Sequence, residues 1–106
     1  MTTFNNREQA FEKKYALDEE QKFKAIARRN KLLGLWAAEQ LGKTGAEADA
    51  YATEVVHADF EEAGDEDIIR KLTQDFAAAG KKLDTLEVNR QLETLMGVAV
   101  QQVKAA

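Results

Sequence analysis

Side chains able to do acid–base or nucleophilic chemistry are scarce in this sequence, and none has useful company. His57 is the single histidine, and the chain contains neither serine nor cysteine. A general base with no nucleophile to activate and no second ligand to share a metal belongs on the surface or at the edge of a core. Between Asp59 and Asp67 six carboxylates fall in nine positions, enough to raise the question of a divalent cation. The run lacks the D-x-D-x-D-G…E spacing of a calcium loop, so a solvated junction between two helices is the reading it supports. Gly42 and Gly45 do not make a glycine-rich phosphate loop; they suit the stop and start of helices. No catalytic residue, metal ligand or cofactor is therefore expected, and the protein reads as a non-enzyme.

Binding chemistry is better represented. Ala27-Arg28-Arg29-Asn30-Lys31 is a basic patch, expected on an exposed face of a helix. Arg28 and Arg29 carry the planar fork that suits a partner's carboxylates. Trp36 could anchor an interface, but with Leu32, Leu33 and Leu35 around it, core packing is the expectation. The first 17 residues form a separate unit. Phe4, Phe11 and Tyr15 stand seven and four residues apart, which aligns them along one side of a helix. Arg7, Glu8, Glu12, Lys13 and Lys14 surround that thin stripe. Three aromatics and Leu17 are little to set against a backbone ordering cost of about 1–2 kcal/mol per residue. The segment is expected to be disordered or partly helical when free and to become helical in a partner's cleft. As a helix of sixteen residues it would be about 24 Å long. The candidate partner-binding residues are Phe4, Arg7, Glu8, Phe11, Lys13, Lys14, Tyr15, Arg28 and Arg29.

These residues must be positioned by 106 residues, enough for one modest core, of which 44% are hydrophobic. No run approaches the roughly 20 apolar residues that cross a bilayer, and the N-terminus lacks the apolar stretch of a secretory signal. A cysteine-free chain suits the cytoplasm. Residues 1–31 hold eight basic and five acidic side chains, a net of +3, whereas residues 32–106 hold seven and fourteen, a net of −7. A negative body argues against nucleic acid as the partner. Proline is absent, and the glycines sit where helices should end. Four helices are predicted, over about 18–41, 45–62, 66–79 and 85–103. Asp18 with Gln21 and Thr44 with Glu47 provide capping boxes, and Asp84 with Glu87 opens the last helix. The inward stripes are Phe23, Ile26, Leu33, Ala37 and Leu41; Ala48, Tyr51, Ala52, Val55 and Val56; Ile69, Leu72, Phe76 and Ala79; and Val88, Leu92, Leu95, Ala99 and Val103. No window alternates like a strand. The expected architecture is all-α, a four-helix bundle-like domain (18–106) behind a flexible N-terminal segment (1–17), monomeric when free.

From Phe4 to Gly42 the sequence F-N-N-R-E-Q-A-F-E-K-K-Y-A…D-E-E…F-K-A…A-R-R-N-K-L-L-G-L-W-A-A-E-Q-L-G resembles the ζ subunit of the α-proteobacterial F1-ATPase. Ala58 to Asp67, A-D-F-E-E-A-G-D-E-D, is similar to that family's second signature. Asn5 and Asn6 stand where the family usually has acids, and Ile26 where a charged residue is common. The resemblance implies a four-helix domain with an N-terminal inhibitory segment, Thr2 to about Leu17. By the same resemblance, that segment is expected to enter a catalytic α/β interface of F1 and to reach toward the rotor. It also implies the F1-ATPase α, β and γ subunits as partners, and a cytoplasmic place, peripheral to the inner membrane through F1Fo. A helical protein–protein adaptor with no ATPase role is the alternative that the residues alone leave open.

Overall fold

The computed structural model describes residues 17–59 and 65–105. Within them the chain is helical throughout, with four α-helices and no strand among the described residues: α1 (Glu19–Gln40), α2 (Gly45–Ala58), α3 (Glu66–Ala78) and α4 (Thr85–Ala105). Phe4, Arg7, Glu8, Phe11, Lys13, Lys14 and Tyr15 lie outside the described residues; the second helix, predicted to run to residue 62, ends at Ala58 with Asp59 as its C-cap, and residues 60–62 lie outside the described residues.

Local chemistry explains where the helices begin and end. Asp18 caps α1 with a complete capping box: the Gln21 N–H donates to Asp18 Oδ1 at 2.7 Å, and the Asp18 N–H donates to Gln21 Oε1 at 3.3 Å. Asp84 does the same work for α4, accepting from the Leu86 N–H at 3.0 Å. α1 and α3 stop identically. Gly42 and Gly80 take positive φ (79° and 74°), and the next N–H, of Lys43 or Lys81, reaches back to the carbonyl of Ala38 or Phe76 at 2.9 and 2.8 Å. One start differs from expectation. Thr44 is the N-cap of α2, but its hydroxyl makes no capping hydrogen bond, so the Thr44–Glu47 box does not form.

α1 is the central element, packed along its length against both α2 and α4, while α3 lies against α2. The main core gathers Leu33 and Ala37 of α1, Tyr51 and Val55 of α2, Ile68, Leu72 and Phe76 of α3, and Val88 and Leu92 of α4. A second cluster, Leu17, Ala25, Met96 and Val100, joins the start of α1 to the end of α4. Leu17, placed by sequence at the end of the N-terminal segment, is therefore buried in the helical body. Two inward assignments shift. Phe23 is 61% exposed. In α3 the fully buried isoleucine is Ile68, with Ile69 partly buried beside the core and Ala79 exposed.

Not every glycine marks a helix end. Gly34 lies inside α1 where it crosses α2, and a Cβ there would stand 2.6 Å from Ala52 Cα and 3.2 Å from Val55 Cβ. Only a residue without a side chain lets the two backbones approach this closely. Gly97, inside α4, faces open space.

Candidate functional site

In a helix, residues four and seven apart share a face. Lys24, Arg28 and Lys31 accordingly line one outer side of α1, and Leu32 and Leu35 continue that side toward the helix C-terminus. Val56 closes one wall from α2 and Gln102 the other from α4, leaving a groove of about 520 Å³. The close α1–α2 crossing at Gly34 and Ala52 brings Val56 up to the α1 leucines. The groove thus has a cationic upper half and an apolar floor.

Its cations are only lightly held. Arg28 is exposed and Nη1 donates to Gln102 Oε1 at a long 3.3 Å. Lys24 pairs with Glu20 at 3.0 Å, but both side chains are mostly in water (60% and 77% exposed), where such a pair contributes little. Lys31 is exposed and makes no ion pair among the described residues.

Arg29 and Arg28 are neighbours in sequence with different surroundings, because one residue turns the helix by about 100°. Arg29 is 3% exposed. Its Nε and Nη2 donate to Asn30 Oδ1 at 3.0 and 2.8 Å, and Nη2 also donates to Asp65 Oδ1 at 2.8 Å. The basic patch is thus not one exposed face. Arg28 and Lys31 point outward, whereas Arg29 and Asn30 tie α1 to the entrance of α3. Asp65 is the N-cap residue of α3, yet it forms no side-chain cap there, and its Oδ1 accepts from this guanidinium instead.

The remaining candidates fall in ordinary places. His57 is exposed in the last turn of α2. Trp36 is partly buried against the main core. In the acidic run, Asp67 is 4% exposed; Oδ1 takes Arg70 Nη1 at 3.4 Å and Oδ2 has no hydrogen-bond partner. Among the described residues no three His, Asp or Glu side chains gather to hold a metal ion.

A polar lock joins α2 to α3 on the far side. Tyr51 Oη donates to Asp75 Oδ2 at 2.7 Å, and Lys71 Nζ donates to the same oxygen and to Glu54 Oε1, each at 3.0 Å. Lys71 Nζ also lies 5.0 Å from the Tyr51 ring centroid. Burial, and then the bond to Asp75, push the Tyr51 hydroxyl above the ordinary tyrosine range. Burial of Lys71 opposes its charge, but the bonds to Glu54 and Asp75 outweigh that and raise it.

Sequence reasoning missed Lys24, Leu32 and Leu35 as parts of one surface with Arg28. The signal was present in the spacing of 24, 28, 31 and 35, which a count along one helix face picks out. Val56 and Gln102 come from other helices and had no local signal.

Comparison with known proteins places the chain among relatives. A family model described as ATPase inhibitor subunit zeta matches residues 1–102. A solved structure titled only as the solution NMR structure of a protein is 55% identical. The match covers 79% of this chain and 95% of that one, with a TM-score of 0.70. No curated protein matches. Among the described residues no helix is long and apolar enough to cross a membrane.

Proposed function

The chain belongs to the ATPase inhibitor subunit zeta family, and from that premise we propose that it is a regulatory, non-catalytic inhibitor of a bacterial F1Fo-ATP synthase. The observation that carries the reading is the extent of the family match. It takes in the leading segment as well as the helical body. The partners are the α, β and γ subunits of F1, met on the cytoplasmic side and peripheral to the inner membrane, and the free protein is a monomer.

The segment before Leu17 enters a catalytic α/β interface and folds there into a helix continuous with α1. An interface closing during hydrolysis traps the segment and buries Phe4, Phe11 and Tyr15, each aromatic contributing roughly 1.5–3 kcal/mol. Arg7, Glu8, Lys13 and Lys14 steer and orient it by charge. Further rotation must break those contacts, so hydrolysis stalls. Rotation in the synthesis direction reopens the interface and releases the segment. Continuity with α1 spares the nucleation of a new helix, at the cost of opening the Asp18–Gln21 capping box. Arg28 adds a docking contact outside the interface, and Arg29 serves it indirectly, by holding the α1–α3 frame.

Added to F1-ATPase from its own cells, the full chain lowers ATP hydrolysis. Removing residues 2–16 abolishes inhibition while leaving the helical circular dichroism spectrum of the body; Leu17 is kept because it packs inside that body. Equal inhibition by the shortened chain refutes the mechanism. An adaptor without an ATPase role is separated by Phe4→Ala with Phe11→Ala, which weakens binding only if the segment inserts.

A further inference from the structure

Three features of the molecule stand outside the inhibitory segment: the basic-apolar groove on α1, the buried Asp67 carboxylate, and the exposed Leu86 of α4. Asp67 faces no further ligand set among the described residues, and Leu86, though 69% exposed, stands without a cavity around it. The groove has both shape and charge.

We propose that this groove is a second docking site for the ATPase, and that its occupant is an acidic amphipathic segment on the outer surface of the catalytic head. The proposal rests on the ATPase-inhibitor reading above and adds where the helical body attaches. Lys24, Arg28 and Lys31 span about 10 Å along α1, seven residues at roughly 1.5 Å each. A partner helix with carboxylates at a matching four- and three-residue spacing meets all three. Its aliphatic side chains, on the adjoining stripe, reach Leu32, Leu35 and Val56. This is the helix-in-groove mode, with apolar anchors for affinity and a charged rim for register.

Charge selects among the possible occupants. The leading segment of the chain itself, residues 1–16, carries three basic and two acidic side chains and gains nothing from a cationic rim. A second copy is opposed at a distance by net charge, −4 against −4, and its acidic residues within 32–106 are the competing occupant that the crosslinking below tests. A bilayer surface cannot enter a concave site. A strongly negative segment of another protein satisfies both the rim and the shape. Held at the groove as well as by its inserted segment, the inhibitor is bivalent, and the groove raises the effective concentration of the segment at the interface.

The test uses the full chain. Arg28→Glu with Lys31→Glu reverses the rim at two exposed positions, and Lys81→Glu with Lys82→Glu makes the same charge change at the exposed α3–α4 connection. The rim variant raises the concentration giving half-inhibition of F1 hydrolysis about ten-fold or more, and the control stays within about two-fold. Raising salt from about 50 to 200 mM weakens inhibition by the wild type more than by the rim variant. If the wild type inhibits and the rim variant inhibits equally well, the groove proposal is wrong and the inhibitor reading stands. If the wild type neither binds nor inhibits F1, both fall together. A second measurement does not depend on affinity. Since the chain has no cysteine, Lys31→Cys carries a photoreactive crosslinker at a unique position. Crosslinking to an acidic stretch of an F1 subunit supports the proposal. A product joining two inhibitor chains, or one on a stretch without carboxylates, overturns it.

Discussion

Alanine at Gly34 and alanine at Gly97 make the same chemical change inside two different helices, and the packing gives them opposite signs. In an open helix interior, replacing glycine by alanine is worth about 0.5–1 kcal/mol, through backbone entropy in the unfolded chain and helix propensity. Gly97 is such a place: nothing lies within 4 Å of a Cβ built there. For Gly97→Ala the full gain is expected, with the melting temperature rising by about 2–6 °C for a domain of this size. Gly34 receives the same intrinsic gain, but its new methyl would lie 2.6 Å from Ala52 Cα. The obstacle is backbone and cannot rotate away, so α1 and α2 must part or slide. Overpacking of this kind costs roughly 1–3 kcal/mol, which leaves Gly34→Ala net destabilised by up to about 2.5 kcal/mol, and by about 1 kcal/mol at mid-range, after the propensity gain. The assay is urea unfolding followed by circular dichroism and by the fluorescence of the single tryptophan, Trp36, which packs beside this crossing. If both variants moved in the same direction, the close α1–α2 approach would not be the reason for glycine at 34. Because Val56 is carried by the same crossing, Gly34→Ala should also open the groove and weaken whatever it holds.

Other outcomes follow from the polar contacts. The Tyr51 hydroxyl holds its proton to higher pH in the folded protein than in the unfolded chain, as Lys71 does. Each raised group contributes stability that is complete below its unfolded value and is lost as pH rises above about 10, where only the unfolded chain gives up its protons. Urea midpoints at pH 8 and pH 10.5 should show that fall in the wild type and a smaller one in Tyr51→Phe. At pH 7 the same variant should lose about 0.5–1.5 kcal/mol, the net worth of the hydrogen bond to Asp75. Asp65→Ala leaves the Arg29 guanidinium buried with Asn30 as its remaining acceptor. Breaking a buried pair costs about 3–5 kcal/mol, and the partial exposure of Asp65 lowers that to roughly 2–3 kcal/mol, measurable by the same unfolding curve. Arg29→Lys is not a conservative change: one ammonium cannot fork between Asn30 and Asp65, and a destabilisation of about 1 kcal/mol or more is expected.

The sequence announces this fold clearly because its signals are local. The Asp18–Gln21 box, the glycines at 42 and 80, and Asp84 each act within five residues, and each lies where the spacing predicts. What escaped is whatever depends on which helix lies next to which. Phe23 fits the apolar period of α1, yet it is 61% exposed, and no property of α1 alone could reveal that. Gly34 departs from the expectation that the glycines mark helix ends, and its reason appears only once Ala52 is known to lie opposite. Arg29 reads as surface beside Arg28 until Asp65, thirty-six positions later, is found within hydrogen-bonding distance. The candidate site divides in the same way. Arg28 is legible as a docking group, and the 24–28–31 spacing is legible in principle, but Val56 and Gln102 join it only through the fold.

That division bears on how an inhibitor of this size can act on a much larger motor. In the mechanism proposed above, a segment inserted between subunits needs a rigid mount, or its trapped end would simply be pulled along with the moving interface. α1 supplies the mount. Its underside is packed on α4 through Ala25 and Met96, and its middle is fastened to α3 by Arg29. The outer face of the same helix carries the groove. If that groove seats on the catalytic head, force on the inserted segment passes along one continuous helix into a second attachment. The block then resists rotation through the strength of two contacts in series with α1. Weakening the α1 frame without touching either contact, as Asp65→Ala does, should therefore reduce inhibition at a temperature where the protein is still folded, and unchanged inhibition there would show that the mount is not needed.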